Sequence, residues 1–108
     1  MTNYPKPNLY GVYHKNESES YRVGNDRQWV EIFILQIECG WIVASSMKLS
    51  QGEWTGPLCK KNGVYKSHAE AFHDELRKIR RLGDYSLEGR LLDKFMKSKQ
   101  SDLFTQIK

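Results

Sequence analysis

Apolar positions follow a strand-like pattern most clearly in the middle of the chain. Over residues 28–37 both faces of an extended chain are apolar except at Glu31 and Gln36, as is typical of a central β-strand. A turn follows at residues 38–40, where Gly40 tolerates a positive φ, and residues 41–48 return as a second apolar strand. The pattern predicts an antiparallel β-hairpin.

Weaker strand signals flank this hairpin. Residues 9–15 alternate weakly and predict a modest strand, and residues 21–23 predict a short strand before a turn at residues 24–26. Residues 49–62 are rich in Gly and predict a loop. Because connections have a median length of ~4–6 residues, this loop is either functional or contains a short strand. Residues 63–65 predict a final edge strand.

After residue 66 the apolar spacing becomes helical. Ser67 and Glu70 form an S-x-x-E capping box, which marks a helix N-terminus, and Gly83 is expected to end this helix. The predicted buried stripe consists of Ala69, Phe72, Leu76 and Ile79. A second helix is predicted after Ser86, with an apolar face that consists of Leu87, Leu91 and Phe95 and extends to Leu92 and Met96 as further candidates.

Together these elements predict an α+β fold. The expected architecture is an antiparallel sheet of three to five strands, with one or two C-terminal helices packed on one face. Residues 1–99 are expected to form a single domain, and residues 100–108 a C-terminal tail. Because an exposed edge strand offers unpaired backbone groups, a homodimer is a further expectation.

Length and composition narrow the class of protein. A chain of 108 residues is long enough for one ordinary domain and too short for two. Aromatic residues make up 12% of the chain, which argues against disorder. No apolar run approaches the ~20 residues of a membrane-spanning helix, and residues 1–7 contain no apolar signal-peptide core. We therefore expect a cytoplasmic protein that does not enter a membrane.

Positive charge is concentrated in the second half of the chain. Residues 1–59 hold five basic and six acidic side chains, whereas residues 60–108 hold twelve and seven. A basic surplus favours an anionic partner, because each phosphate contact releases condensed counterions. The alternative is that these cations only solvate helix faces. The candidate nucleic-acid-binding cations are Lys60, Lys61, Lys66, Arg77, Lys78, Arg80 and Arg81.

Trp54 is a further candidate for this surface, because it lies in the Gly-rich loop that precedes the lysines. An exposed indole stacks on a base or wedges into a groove. The alternative is that Trp54 folds back over the hydrophobic core. No residue pattern specifies base readout, so any binding is expected to be directed at the backbone.

Metal and catalytic motifs are not evident. Cys39, Cys59, His68 and His73 are the residues from which a metal site would have to be built, but they include no close ligand pair of the usual spacing. No phosphate-binding glycine loop, nucleophile elbow or H-E-x-x-H sequence occurs. We expect no metal, no cofactor and no enzymatic activity. A small enzyme that uses one of the cysteines with a histidine is the remaining catalytic alternative.

The order of the predicted elements resembles the WGR-type domain found in some DNA-damage-response proteins. The resemblance rests on a strand led by Trp29, a hairpin partner at residues 41–43, a Gly-containing loop, and Ser67 and Glu70 opening a helix. It covers about half of the chain. The Trp-Gly-Arg signature is absent, with residues 45–48 in its place, so no residue role is carried over.

The C-terminal sequence Gln100-Ser101-Asp102-Leu103-Phe104 resembles the bacterial sliding-clamp-binding peptide. In that family the peptide docks in a hydrophobic groove of the replicative clamp. The resemblance implies that Gln100 forms a hydrogen bond at the groove mouth and that Leu103 and Phe104 fill the apolar pocket, with Asp102 at the Ser-or-Asp position. The alternative is that Leu103, Phe104 and Ile107 form a last turn or strand packed on the domain.

These observations lead to two hypotheses about function. The first is a non-enzymatic, DNA-associated accessory protein of bacterial or phage type. It binds duplex or single-stranded DNA, rather than RNA, through its basic surface and engages the replication clamp through its tail. The second is a protein-interaction module, an inhibitor or adaptor from a phage or other mobile element, which does not bind nucleic acid. Salt-dependent nucleic-acid binding distinguishes the two.

Overall fold

The protein folds as a four-stranded antiparallel sheet with helices on one face, which confirms the predicted α+β class. The computed structural model describes residues 4–50, 52–80 and 89–97. The strands follow one another in the sheet in chain order. Their bounds are β1 Glu19–Gly24, β2 Trp29–Ile37, β3 Gly40–Leu49 and β4 Gly52–Thr55. Two 3₁₀ turns, Lys15–Glu17 and Lys60–Asn62, precede the helices α1, His68–Arg80, and α2, residues 89–97.

The predicted hairpin is confirmed as β2 and β3. Ile37 pairs with Gly40, so the turn consists of Glu38 and Cys39 alone. Gly40 has a φ of +149°, and a Cβ at this position would lie 2.6 Å from the carbonyl oxygen of Tyr65. Only glycine fits here, because a later segment of backbone approaches the hairpin closely.

The two outer strands are short. The strand predicted at residues 21–23 is confirmed as β1, and the long loop contains the short strand β4. Met47 of β3 pairs with Trp54 of β4, so both side chains lie on the same face of the sheet. This register places the tryptophan at the edge of the face that carries the helices.

Two predicted strands are wrong. In residues 9–15, the Asn8 side chain accepts hydrogen bonds from the Tyr10 and Val12 amides, and Gly11 has a φ of +79°. These bonds form a tight turn that ends the alternation. At residues 63–65 a single bridge joins Tyr65 to Trp41, with backbone N···O distances of 2.9 and 2.8 Å. Gly63, with a φ of +112°, prevents a longer extended segment.

The cap of α1 differs slightly from the predicted box. The Ser67 hydroxyl accepts a hydrogen bond from the Glu70 amide at 3.1 Å, as predicted. The Glu70 carboxylate, however, accepts from the Lys66 amide at 3.2 Å rather than from Ser67. Both bonds satisfy donors that a helix N-terminus would otherwise leave unpaired.

The main core lies between the sheet and the helices. Phe72 of α1 and Phe95 of α2 stack with ring centroids 4.0 Å apart, and Leu91 is fully buried beside them. Leu92 and Met96 are exposed, so the apolar face of α2 is narrower than predicted.

The predicted helix limits at Gly83 and Ser86, and Leu87, lie outside the described residues. Among the described residues, neither helix could span a bilayer.

A second, smaller core lies on the opposite face of the sheet. It consists of Tyr13, Leu35, Ile37, Ile42, Ala44 and Leu58. The Tyr13 amide donates to the Leu58 carbonyl at 2.8 Å, and Val12 forms a bridge with Cys59. The N-terminal segment is thereby fastened to the chain just before the second 3₁₀ turn.

Candidate nucleic-acid interface

Three of the predicted cations lie within residues 60–66, a segment of the chain beside β3, and we call them the lysine cluster. Lys60 and Lys61 belong to the second 3₁₀ turn, which packs on β3. Lys66 directly follows Tyr65, whose backbone pairs with Trp41 of the same strand. All three side chains are exposed, and none forms a salt bridge with any residue that the structure describes. Their charge is therefore available to an anion.

The cations of α1 are arranged differently. Arg77 forms a salt bridge with Asp74 at 2.9 Å, and Lys78 lies 3.9 Å from Asp74 and 3.7 Å from Glu75. These are pairs at i,i+3 and i,i+4 on one helix, so much of the positive field is neutralised locally. The Arg80 side chain and Arg81 lie outside the described residues.

Trp54 lies at the open edge of the sheet. Its side chain is 44% exposed and belongs to neither core cluster. Nearly half of the side chain is therefore accessible to a ligand, and the alternative that it folds over the hydrophobic core stays a prediction.

The sheet brings Trp54 and the α1 cations to one stretch of β3. Gly56, two residues after Trp54, donates its amide to the Ser45 carbonyl at 2.9 Å. The Ser45 side chain forms a hydrogen bond with Glu75, and Lys78 pairs with that carboxylate. Trp54 and Lys78 thus border the same part of the strand.

We call this side of the molecule the basic edge; it comprises Trp54, Lys60, Lys61, Lys66, Arg77 and Lys78. Tyr65 fastens the lysine cluster to the Trp41 end of β3, and Trp54 pairs with Met47 nearer the other end. Met47 is six positions after Trp41, a span of about 20 Å along a strand.

Two side-chain hydrogen bonds hold α1 against this edge, one between Tyr65 and Asp74 and one between Ser45 and Glu75. The Tyr65 hydroxyl donates a hydrogen bond to the Asp74 carboxylate. Burial and this bond raise the pKa of Tyr65 to about 12, and the same bond is the main cause of the lowered pKa of Asp74. Glu75 is only 6% exposed, and burial raises its pKa despite the nearby Lys78 ammonium.

A groove that sequence reasoning missed opens beside Lys60. It is lined by residues 4–7, Tyr13, Glu38 and Lys60, the first residue of the second 3₁₀ turn, and its volume is about 670 Å³. Lys6 and Lys60 both lie in this lining. The sequence contains only a weak signal for it, the paired Pro5 and Pro7 that make the lead-in extended. The bridge from Val12 to Cys59 that brings these parts of the chain together cannot be deduced from local pattern.

The candidate metal ligands are not assembled into a site. No group of three His, Cys, Asp or Glu side chains suited to a metal occurs among the described residues. Cys39 is exposed, Cys59 is buried, and both are free thiols. His68 instead bonds Glu19 at 2.8 Å and stacks on Phe95 at 5.4 Å between ring centroids, which is a structural role.

The clamp-binding candidates Gln100, Asp102, Leu103 and Phe104 lie outside the described residues, so their role stays a prediction. No family model matches the chain, and neither a curated protein nor a solved structure is significantly similar to it. The resemblance to WGR-type domains likewise stays a prediction.

Proposed function

We propose that this protein is a non-enzymatic accessory protein that binds nucleic acid through the basic edge. The observation that carries the proposal is the cluster of Lys60, Lys61 and Lys66, whose exposed ammonium groups have no salt-bridge partner among the described residues. Unpaired surface cations release counterions from a phosphate backbone, which is the main source of sequence-independent affinity.

The proposed contact is with the backbone and does not read sequence. Lysine ammonium groups act as point charges toward phosphate, and the three lysines that carry the proposal lack the planar fork with which arginine makes bidentate contacts. Trp54 adds an aromatic face at the far end of the edge, where a base can stack irrespective of its identity. DNA is the expected nucleic acid, because the resemblance of the tail to a clamp-binding peptide connects the protein with replication.

The test is the salt dependence of binding to a mixed-sequence DNA duplex. We expect the logarithm of the association constant to fall linearly with the logarithm of salt concentration for the native protein. In the variant K61E/K66E the slope should be reduced by about two, because two phosphate contacts are lost. Fluorescence anisotropy over a range of salt concentrations measures both quantities.

The matched control is R27E/R90E. It changes net charge by the same amount at two exposed residues, one in the turn between β1 and β2 and one in α2. It should retain the native slope. If both double variants weaken binding equally, net charge rather than the basic edge is responsible. If the native protein binds neither DNA nor RNA at low salt, the proposal is rejected.

We also propose that residues 100–104 recruit the protein to the bacterial sliding clamp. The proposal rests on the match of every preferred position in the tail peptide. An extended peptide that orders only on binding gives limited affinity. Recruitment to DNA by the basic edge would supplement this affinity by raising the effective concentration near the clamp.

One observation favours the alternative, a protein-interaction module. Leu9 and Tyr10 are 100% and 85% exposed at the tip of the turn that Asn8 holds. Adjacent exposed apolar side chains on a well-defined turn are typical of a protein-docking surface. The salt titration separates the two functions, because an interaction module of this kind binds no nucleic acid at any salt concentration.

A further inference from the structure

The groove beside Lys60 has the dimensions of a small-molecule site. Its volume of about 670 Å³ lies within the range of roughly 300–1,000 Å³ in which such ligands bind. Its lining comes from distant parts of the chain, among them residues 4–7 and Lys60. The Val12–Cys59 bridge and the hydrogen bond from the Tyr13 amide to the Leu58 carbonyl hold these parts together. The groove is therefore supported by the fold rather than by one loop.

Its charged groups favour an anion. Lys6 and Lys60 are both exposed, and neither makes a salt bridge within residues 4–50, 52–80 and 89–97. Glu38, from the hairpin turn, is the acidic residue in the lining. Two cations and one carboxylate suit a ligand that carries a phosphate together with N–H donors, because the carboxylate can accept hydrogen bonds from a base amino group.

Its aromatic groups favour a base. Tyr13 is 5% exposed and lies in the second core, whereas Tyr4 is 37% exposed and available for stacking. A tyrosine ring stacks on any unpaired base, since every base has a π-face. Bases within a duplex are already stacked on their neighbours, and contact with Tyr4 would require them to leave the helix.

From this geometry we infer that the groove binds one nucleotide of a single-stranded nucleic acid, with its phosphate between Lys6 and Lys60 and its base on Tyr4. The inference rests on the proposed function and deepens it, because the groove adjoins Lys61 of the basic edge. It assigns the preferred ligand, a single strand, and it adds Tyr4 and Lys6 to the binding residues.

The test compares Tyr4→Ala with the native protein on fluorescein-labelled oligothymidine and on a duplex. Loss of Tyr4 should weaken single-strand binding roughly fivefold to a hundredfold, the range typical of removing one base–aromatic stack, and leave duplex binding unchanged. The control Tyr10→Ala removes an exposed tyrosine outside the groove and should have no effect. The variant Lys6→Ala, which leaves the basic edge intact, should reduce the salt slope by about one on the single strand.

The outcomes separate this inference from the proposed function. If Tyr4→Ala and Lys6→Ala both bind the single strand like the native protein while K61E/K66E does not, the groove assignment is rejected and the basic edge stands. An equal loss of duplex and single-strand affinity in Tyr4→Ala also rejects it, because stacking on an unpaired base cannot explain that result. If the native protein binds no nucleic acid, both proposals fail. Circular dichroism of each variant verifies that it is folded.

Discussion

Glu75 shows how one buried side chain determines a pH dependence. Its carboxylate is 6% exposed and receives a hydrogen bond from Ser45, with the Lys78 ammonium 3.7 Å away. Burial outweighs these favourable contacts and raises the pKa. The folded state therefore favours the protonated form. The stability that this group contributes is present below its unfolded-state pKa and is lost as the pH rises through the raised folded-state pKa.

The variant Glu75→Gln removes this dependence, because an amide retains hydrogen-bonding capacity toward Ser45 without a charge. As the pH rises from mildly acidic to neutral, the free energy of unfolding of this variant should increase relative to that of the native protein, because only the native protein loses stability through ionisation of Glu75. Urea denaturation at a series of pH values measures the difference. The exposed Glu53→Gln should show no such trend. A constant difference at every pH would contradict the interpretation of Glu75.

Tyr65 joins its own segment of the chain to a strand and to a helix. Its backbone exchanges two hydrogen bonds with Trp41 of β3, and its hydroxyl donates to Asp74 of α1. The segment between β4 and α1, which carries the lysine cluster, is thus fastened to both the sheet and the helix. The position of Lys66 next to Tyr65 follows directly from these contacts.

Tyr65→Phe should lower the free energy of unfolding by about 1 kcal/mol. A hydrogen bond to a charged group contributes somewhat more than this when buried, but Asp74 is 30% exposed. Because folding lowers the pKa of Asp74, its carboxylate contributes to the stability of the fold above the unfolded-state pKa. This contribution is lost as the pH falls through the folded-state value. Because folding raises the pKa of Tyr65 to about 12, the stability that its hydroxyl contributes is lost only at strongly alkaline pH.

The loss caused by Tyr65→Phe should therefore be largest near neutral pH and smaller in acid. Chemical denaturation at neutral and acidic pH tests this, with the exposed Tyr10→Phe as the control. An equal loss at both pH values would show that the phenol stabilises the fold by packing rather than through Asp74.

The two edges of the sheet differ in how accessible they are. On β1, the Lys94 ammonium of α2 donates to the Arg22 carbonyl at 2.7 Å, so part of this edge is already occupied. All four residues of β4 are exposed. A homodimer stays a prediction, and pairing through β4 would be less costly than pairing through β1, where Lys94 would have to be displaced.

The proposed clamp contact requires the tail to act independently of the domain. Deleting residues 100–108 should abolish capture of the purified sliding clamp in a pull-down, while circular dichroism shows an unchanged fold. A finer test is L103A/F104A, which removes the apolar anchor, against I107A, which removes an apolar residue outside the motif. Unchanged clamp capture after the deletion would reject the role of the tail.

Helices and strands whose signals lie within a few neighbouring residues could be predicted from the sequence. The β2–β3 hairpin and α1 followed from periodicity, turn composition and a capping serine, because these properties act over a few residues. The predicted strand at residues 9–15 failed for an equally local reason, since the Asn8 side chain competes for backbone amides. The pairing of Arg77 and Lys78 with Asp74 and Glu75 was not predicted, although a spacing of three and four on a helix is a local signal for it.

The arrangement of the candidate sites depends on contacts between distant residues. No local pattern places Lys6 and Lys60 in one groove, puts Trp54 at an open edge or joins Tyr65 to both Trp41 and Asp74. Each of these follows from tertiary contacts, such as the Val12–Cys59 bridge and the Trp41–Tyr65 bridge, which join residues far apart in the chain. Sequence periodicity records which face of an element is buried, whereas the position of a charge relative to a groove depends on how the elements pack.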